Sequence, residues 1–229
     1  MSELFASPYF GIVTTVIAYW IGVQVSRRTG LVICNYMLIA TALLIGMLVV
    51  FDIPYEAYYA GGSVINMFLG PATACMGVTI YNQREALKKN WLPILVGCFA
   101  GALTAIVSIL LMSRLFGLDE VMTLSLLPKS VTTPIATAIS ESQGGIPSIT
   151  VAAVIVTGIG GNIAAPYLVK LFRIKNPVAA GLGIGTASHA VGTAKALQMG
   201  ETEGAMSGLA IGVCGIFTAI LALFFQFLF

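Results

Sequence analysis

Eight long apolar segments occupy nearly the whole chain, and short polar linkers separate them. The segments lie at residues 8–26, 31–51, 60–82, 92–115, 121–142, 147–172, 177–199 and 204–229. About 20 apolar residues cross the hydrocarbon core of a bilayer as a helix, and lipid offers no partner for an exposed backbone amide. The pattern therefore predicts an all-α, polytopic integral membrane protein, with no separate soluble domain in its 229 residues.

The composition excludes several other classes of protein. Charged residues make up 9% of the chain, against about 25% in soluble domains. A formal net charge of +2 gives no basis for a nucleic-acid partner. The sequence contains no zinc-protease or nucleotide-loop motif and no Ser-His-Asp pattern placed in a soluble pocket. We therefore predict neither an enzyme nor a site for a metal or a cofactor.

Two of the eight segments carry helix-breaking residues in their middle. Pro128 and Pro134 interrupt segment 121–142 around the letters KSVTT, and GTASHAVG interrupts segment 177–199. A proline inside a helix costs about 3 kcal/mol or more. Thr133 before Pro134 predicts an N-cap, with a new helix starting at the proline. Both segments are therefore expected to be re-entrant hairpins or discontinuous helices.

The distribution of basic residues favours hairpins. If both broken segments cross the membrane, five basic linker residues lie on one side and four on the other. If both broken segments turn back within the membrane, eight basic linker residues lie on one side and one on the other. This distribution agrees with the excess of Lys and Arg on cytoplasmic loops. We expect six crossings and two hairpins, with both termini outside. Discontinuous crossing helices stay the alternative.

The two broken segments also resemble each other. With a shift of 58 residues, SVTTPIATAI (130–139) aligns with SHAVGTAKAL (188–197). Such an inverted repeat is used by many secondary transporters. The sequence thus predicts scaffold and oligomerisation helices over 1–115 and a transport core over 116–229. The core would hold two hairpin-plus-helix repeats, at about 121–172 and 177–229, as in an elevator-type transporter.

The polar residues of the two breaks form the predicted binding site. Half-helix N-termini present free amides that suit an anion, and polar groups at membrane depth are functional candidates by default. The predicted substrate is a small carboxylate carrying a hydroxyl or keto group. The candidate ligands are Lys129, Ser130, Thr132, Thr133, Thr186, Ser188, His189 and Thr193, with Asn162, Gln198 and Glu141 as further candidates. His189 is the only histidine, and its titration near neutral pH suits proton coupling.

Three long stretches carry a resemblance to a known family: LLPKSVTTPIA, GGIPSITVAAVIVTGIGG and RIKNPVAAGLGIGTASHAVGTAKALQMGETEGAMSGLAIGVCGI. They resemble the LrgB/CidB family of bacterial membrane proteins over essentially the whole chain. The resemblance implies a multi-pass protein of the bacterial cell membrane. Some relatives carry glutamine at the position of Lys129, which favours Thr132 and Thr133 over Lys129 as ligands.

The resemblance implies two functions of different classes. One is an antiholin-like regulator of murein hydrolase export and cell lysis, beside a holin-like LrgA or CidA partner. The other is transport, because the plant plastid member is a glycolate/glycerate translocator and bacterial relatives are linked to pyruvate uptake. The paired breaks favour a proton-coupled transporter of glycolate, glycerate, lactate or pyruvate. We expect a homodimer, because residues 1–115 contain long segments able to form a static scaffold. The antiholin-like regulator is the alternative.

Overall fold

The computed structural model of the protein describes residues 7–30, 34, 36–68, 71, 74, 78, 81 and 84–225. None of these residues forms a strand. Four of the helices among them are long and apolar enough to cross a membrane, which confirms the all-α, polytopic class. The predicted segment 60–82 lies largely outside the described residues beyond Phe68.

The chain divides into two compact units, residues 1–74 and 75–229. The first contains helices α1 (Pro8–Thr29), α2 (Tyr36–Val50) and α3 (Tyr55–Asn66). Helix α1 approaches α3 so closely at Gly11 that a side chain there would collide with the backbone of α3. Such contacts are the usual means of packing helices in lipid, where apolar surface alone gives no driving force. Helix α3 starts inside the predicted linker, directly after Pro54, because proline suits the position before or at a helix start.

The second unit contains the two broken segments. Its helices are α4 (Arg84–Lys89), α5 (Trp91–Phe116), α6 (Glu120–Leu126), α7 (Thr133–Ser142), α8 (Pro147–Leu171), α9 (Pro177–Met199) and α10 (Glu201–Phe225). In this unit the described helices agree closely with the predicted apolar segments, apart from the added helix α4 in a predicted linker.

The first broken segment is a hairpin formed by α6, residues 127–132 and α7. The hydroxyl of Thr150 lies 2.8 Å from the carbonyl oxygen of Ser125 and 2.7 Å from the hydroxyl of Ser140. Ser125 stands near the end of α6 and Ser140 near the end of α7, so the two arms must lie side by side. The chain therefore reverses between these two serines, and we call residues 127–132, which link α6 to α7, the first tip.

Helix α7 begins one residue earlier than the sequence predicts. Thr132 is the N-cap, Thr133 is the first helical residue, and the proline sits within the first turn. The prediction of Thr133 as N-cap was therefore wrong by one position. A proline is tolerated anywhere in the first turn because the amides there have no intrahelical partner.

The second broken segment is also a hairpin, with its turn at His189. His189 has φ 42° and ψ −142°, which is not a helical conformation. Ile184 and Ala196 pack in one cluster with Ala165 of α8, whereas twelve residues of continuous helix would separate them by about 18 Å. Helix α9 thus consists of two arms, 177–188 and 190–199, joined at the second tip around His189.

The two hairpins enter the unit from opposite ends. The base of the first lies beside Thr150 near the start of α8, and its Gln143 donates to the Ala222 carbonyl near the end of α10, at 2.7 Å. The base of the second lies beside Gly204 at the start of α10 and against Ala165 in the later half of α8. The contacts therefore place the two hairpins in opposite orientations within the second unit, each followed by a long helix.

Charge differs between the two ends of this unit. Asn90 and Asn176 line one cavity, so residues 84–91 and 170–176 lie at the same end, which we call the basic end. Residues 117–120 and 141–146 lie at the other, which we call the acidic end. This is the arrangement that the hairpin model predicts, since crossing segments would place the two basic linkers at opposite ends.

Helix α5 packs into the core of the second unit. Its Ile94, Cys98 and Ala102 belong to a buried cluster with Leu182 of the second hairpin and Leu209 of α10. The predicted division at residue 115, into scaffold helices and a transport core, stays a prediction.

The fold predicts the topology that cysteine labelling measures. Lys89→Cys and Lys175→Cys should react with an impermeant thiol reagent from the same, cytoplasmic side of the membrane. Glu120→Cys and Glu141→Cys should react from the opposite side and serve as the matched pair. Reaction of Lys89→Cys and Lys175→Cys from opposite sides would contradict the hairpin arrangement.

Candidate functional site

A cavity of about 370 Å³ lies where the two hairpin tips meet helix α5. Three of the predicted ligands, Lys129, Ser130 and Thr186, line it together. The remaining lining residues are Ala100, Gly101, Thr104, Ala105 and Ala187. The fold thus brings together one charged and several hydroxyl side chains from distant parts of the chain. We call this space the tip cavity.

Lys129 is the charged side chain in the lining of the tip cavity. It follows Pro128 in the turn of the first tip, and its Nζ donates to the Ser130 hydroxyl at 3.2 Å. Because Ser130 accepts this bond, its own hydrogen is available for a further acceptor. A cation beside a free hydroxyl donor is an arrangement that binds a carboxylate.

Thr186 uses its hydroxyl hydrogen within its own helix. The hydroxyl donates to the Leu182 carbonyl at 2.9 Å, with the Gly183 carbonyl at 3.2 Å. A hydroxyl has one hydrogen and two lone pairs. Toward the tip cavity, Thr186 can therefore act only as an acceptor.

His189 and Ser188 are buried against helix α8. The Nε2 atom of His189 lies 3.0 Å from the Val154 carbonyl oxygen, and since a carbonyl only accepts, Nε2 carries the hydrogen. Two glycines of α8 admit these side chains: a Cβ at Gly158 would lie 2.7 Å from the imidazole, and one at Gly161 would overlap the Ser188 hydroxyl. The positive φ of His189 is a strained conformation of about 1–3 kcal/mol, held by these contacts.

The other predicted residues lie apart from the tip cavity. Thr132 is only 6% exposed, and its hydroxyl has no hydrogen-bond partner among the described residues. Thr133 is the first residue of α7, and its carbonyl oxygen accepts a hydrogen bond from the Thr137 hydroxyl. Thr193 bonds to the His189 carbonyl and to the Ser207 hydroxyl, so it ties the second hairpin to α10.

The further candidates have simpler positions. Asn162 donates to the Val191 carbonyl at 2.7 Å, which joins the start of the second arm to α8. Glu141 and Gln198 are exposed near the bases of the two hairpins. Asn162 therefore supports the second tip, while the other two lie far from it along their arms.

Sequence reasoning missed the contribution of helix α5 to the cavity. Ala100, Gly101 and Thr104 line it, and a Cβ at Gly101 would lie 2.8 Å from Thr186. The spacing Gly97-x₃-Gly101-x₃-Ala105 is the small-residue pattern that lets membrane helices approach closely. That pattern predicts a close helix contact, although not the partner.

Together these features define a multi-pass membrane protein in which two opposed hairpins meet at a largely apolar cavity, where Lys129 is the cationic lining residue among those the structure describes. The chain belongs to the LrgB-like family, whose model matches residues 15–227. It is thus a multi-pass bacterial membrane protein, as the resemblance implies.

Curated relatives agree with this family. The chain is 40% identical over 215 residues to "Antiholin-like protein LrgB" of Bacillus mycoides (strain KBAB4), covering 93% of this chain and 94% of the relative. Proteins of the same name from Bacillus cereus (strain B4264) and Bacillus anthracis (strain CDC 684 / NRRL 3495) are each 39% identical, with the same coverage. No solved structure matches the chain significantly.

The packing of His189 predicts different effects at two glycines of α8. Gly158→Ala should destabilise the protein by about 1–3 kcal/mol, because the new methyl group forces the imidazole to shift. Gly160→Ala is the matched control: a Cβ there meets nothing within 4 Å, so it should be neutral or stabilising by up to about 1 kcal/mol. Thermal unfolding in detergent measures both, and equal stability of the two variants would contradict the described contact.

Proposed function

We propose that the protein is a secondary transporter of small monocarboxylates. The observation that carries the proposal is the tip cavity, in which Lys129 and Ser130 of one hairpin face Thr186 of the other. Its volume of about 370 Å³ lies at the small end of the range of ligand pockets, about 300–1,000 Å³. Opposed hairpins around one polar site are an arrangement used by alternating-access transporters.

The polar groups of the cavity suggest how the substrate is held. Lys129 pairs with the carboxylate and Ser130 donates a hydrogen bond to it. Thr186 accepts from a hydroxyl on the substrate, because its own hydrogen already bonds to Leu182. A 2-hydroxy acid such as glycolate, glycerate or lactate satisfies all three groups. A 2-keto acid such as pyruvate leaves Thr186 without a donor and should bind more weakly.

A histidine at the second tip supports proton coupling. Imidazole is the side chain whose ordinary titration falls between pH 5 and 8. In the tautomer with hydrogen on Nε2, Nδ1 is free to take a proton. One carboxylate and one proton would then move together without net charge.

The charge of Lys129 is the first test of the transporter. Lys129→Gln should reduce uptake of lactate and glycolate into proteoliposomes by roughly tenfold or more, since hydrogen bonds to charged groups contribute about 1.5–3 kcal/mol. Lys195→Gln removes a lysine that bonds to Gln198 on the outer part of the second hairpin and should retain uptake within roughly twofold, as surface charges contribute little. Equal uptake by both variants would move the substrate away from the tip cavity.

The role of His189 is tested by separating two modes of transport. His189→Gln keeps a hydrogen-bond donor for Val154 but cannot titrate. It should lose accumulation driven by a pH gradient, yet retain exchange of labelled for unlabelled substrate, which moves no net proton. Unimpaired accumulation driven by a pH gradient would remove His189 from the coupling mechanism.

A second function has its own support. The curated relatives are named antiholin-like protein, and this name favours a regulator of cell lysis more directly than it favours a transporter. In that function the protein would act in the bacterial cell membrane beside a holin-like partner, and a homodimer is the proposed form in either case.

Proteoliposomes loaded with both dye and carboxylate distinguish the two functions. Saturable carboxylate exchange without dye leak supports the transporter, whereas dye leak without substrate saturation supports a pore-related function.

A further inference from the structure

A second cavity of about 380 Å³ adjoins the first and opens at the basic end. It lies between helix α5 and the first arm of the second hairpin, and Thr186 lines both cavities. We infer that the two form one entry groove, through which the anionic substrate reaches the tip cavity from the basic end. The inference rests on the proposed transport function for its ligand, but the groove itself can be tested without transport.

The two walls of the groove are continuous helix faces. On α5, residues Pro93, Gly97 and Ala100 follow one another at helical spacing and continue into the tip cavity at Thr104. Eleven residues of helix correspond to about 16 Å, so this face reaches from the basic end to about the middle of the unit. On the hairpin arm, the facing positions run from Val178 to Ala187 at spacings of three and four.

The opposite direction is closed by packed side chains. Toward the acidic end, Ile106, Leu127, Ile139 and Ala222 form a buried cluster around the first hairpin. The hydroxyl of Thr150 adds buried hydrogen bonds that join the base of the same hairpin to α8. The structure thus represents a state in which the tip cavity communicates with the basic end through the groove while a packed core separates it from the acidic end.

The mouth of the groove has the chemistry expected for an anion. Lys88 and Lys89 precede α5, and Arg173 and Lys175 precede the second hairpin. Lys88 pairs with Glu85 at 3.3 Å, and Glu201 and Glu203 begin α10 at the same end, so the positive charge there is a net excess of basic over acidic residues. A net excess of one sign around an opening raises the local concentration of the opposite ion. At the mouth, the Asn176 side-chain oxygen caps α9 by accepting from Val178 and Ala179, which leaves its amide NH₂ as a donor.

Two glycines set the width of the groove. A Cβ at Gly183 meets nothing within 4 Å, and one at Gly97 meets only Leu182, at an ordinary 3.6 Å. A larger side chain at either position therefore enters the groove without displacing the protein. Selectivity in membrane pathways depends on the diameter of the pathway and on the residues that line it. We therefore predict that these two positions limit the size of the substrate.

The first readout is chemical access and needs no transport. Ala100→Cys places a thiol in the tip cavity and should react with an impermeant, negatively charged thiol reagent added at the basic end. Adding Gly183→Leu or Gly97→Leu should slow that reaction by roughly tenfold or more, because the leucine side chain narrows the entry groove. The parent protein measures reaction of the native cysteines, and Gly160→Leu on α8, where a Cβ meets nothing within 4 Å, is the matched control.

The second readout is uptake of lactate by the same variants without the introduced cysteine. Both groove variants should lose most of the uptake while Gly160→Leu retains it, at equal thermal stability in detergent. Reaction of Ala100→Cys only from the acidic end, only with a membrane-permeant reagent, or at a rate unchanged by both leucines would overturn the groove. If the groove variants block labelling but the unaltered protein moves no carboxylate, the groove stands and the transport function fails.

Discussion

Backbone breaks inside an apolar protein require polar partners from elsewhere in the fold, and this requirement determines how the second unit is assembled. In lipid, an unpaired amide or carbonyl costs several kcal/mol. The Ser125 hydroxyl accepts from the backbone amide of Ile146, which precedes α8, and the amide of Asn162 on α8 adds a bond to the Val191 carbonyl just after the second break. The hairpins are thus stabilised by α8 as much as by their own helical turns.

The inverted repeat makes each hairpin depend on the other repeat. Gly158 of α8 accommodates the imidazole of the second tip, and Gly215 of α10 accommodates Ile135 of the first hairpin. These glycines are 57 residues apart, close to the shift that relates the two sequences. Each long helix therefore carries its own hairpin at one end and contacts the tip region of the other near its middle. One cavity between the tips follows from this reciprocal packing.

Much of this architecture can be predicted from the sequence, and the physical reason differs between features. Pro128 and Pro134 interrupt a helix locally, so the first break is evident without a structure. The basic linkers favour a hairpin because they then lie mostly on one side of the membrane. The presence of Ile184 and Ala196 in one buried cluster was needed to establish the second hairpin, because no proline marks its turn. The lining supplied by α5 depends on packing between distant segments, which local patterns do not encode. Local patterns likewise do not encode the bond between Thr193, one of the predicted ligands, and Ser207.

The bond between Gln143 and the Ala222 carbonyl joins residues 79 positions apart. Gln143 ends the first hairpin, and Ala222 lies in the last turns of α10. As the chain leaves the ribosome, the first hairpin therefore enters the membrane well before the residue that completes its base. Until α10 has inserted, that polar amide stands without its final partner, so the folding of this half is tied to completion of the C-terminal helix. Chains cut short before α10 would carry an unfinished polar hairpin, a feature by which a membrane quality-control protease can distinguish incomplete from finished protein.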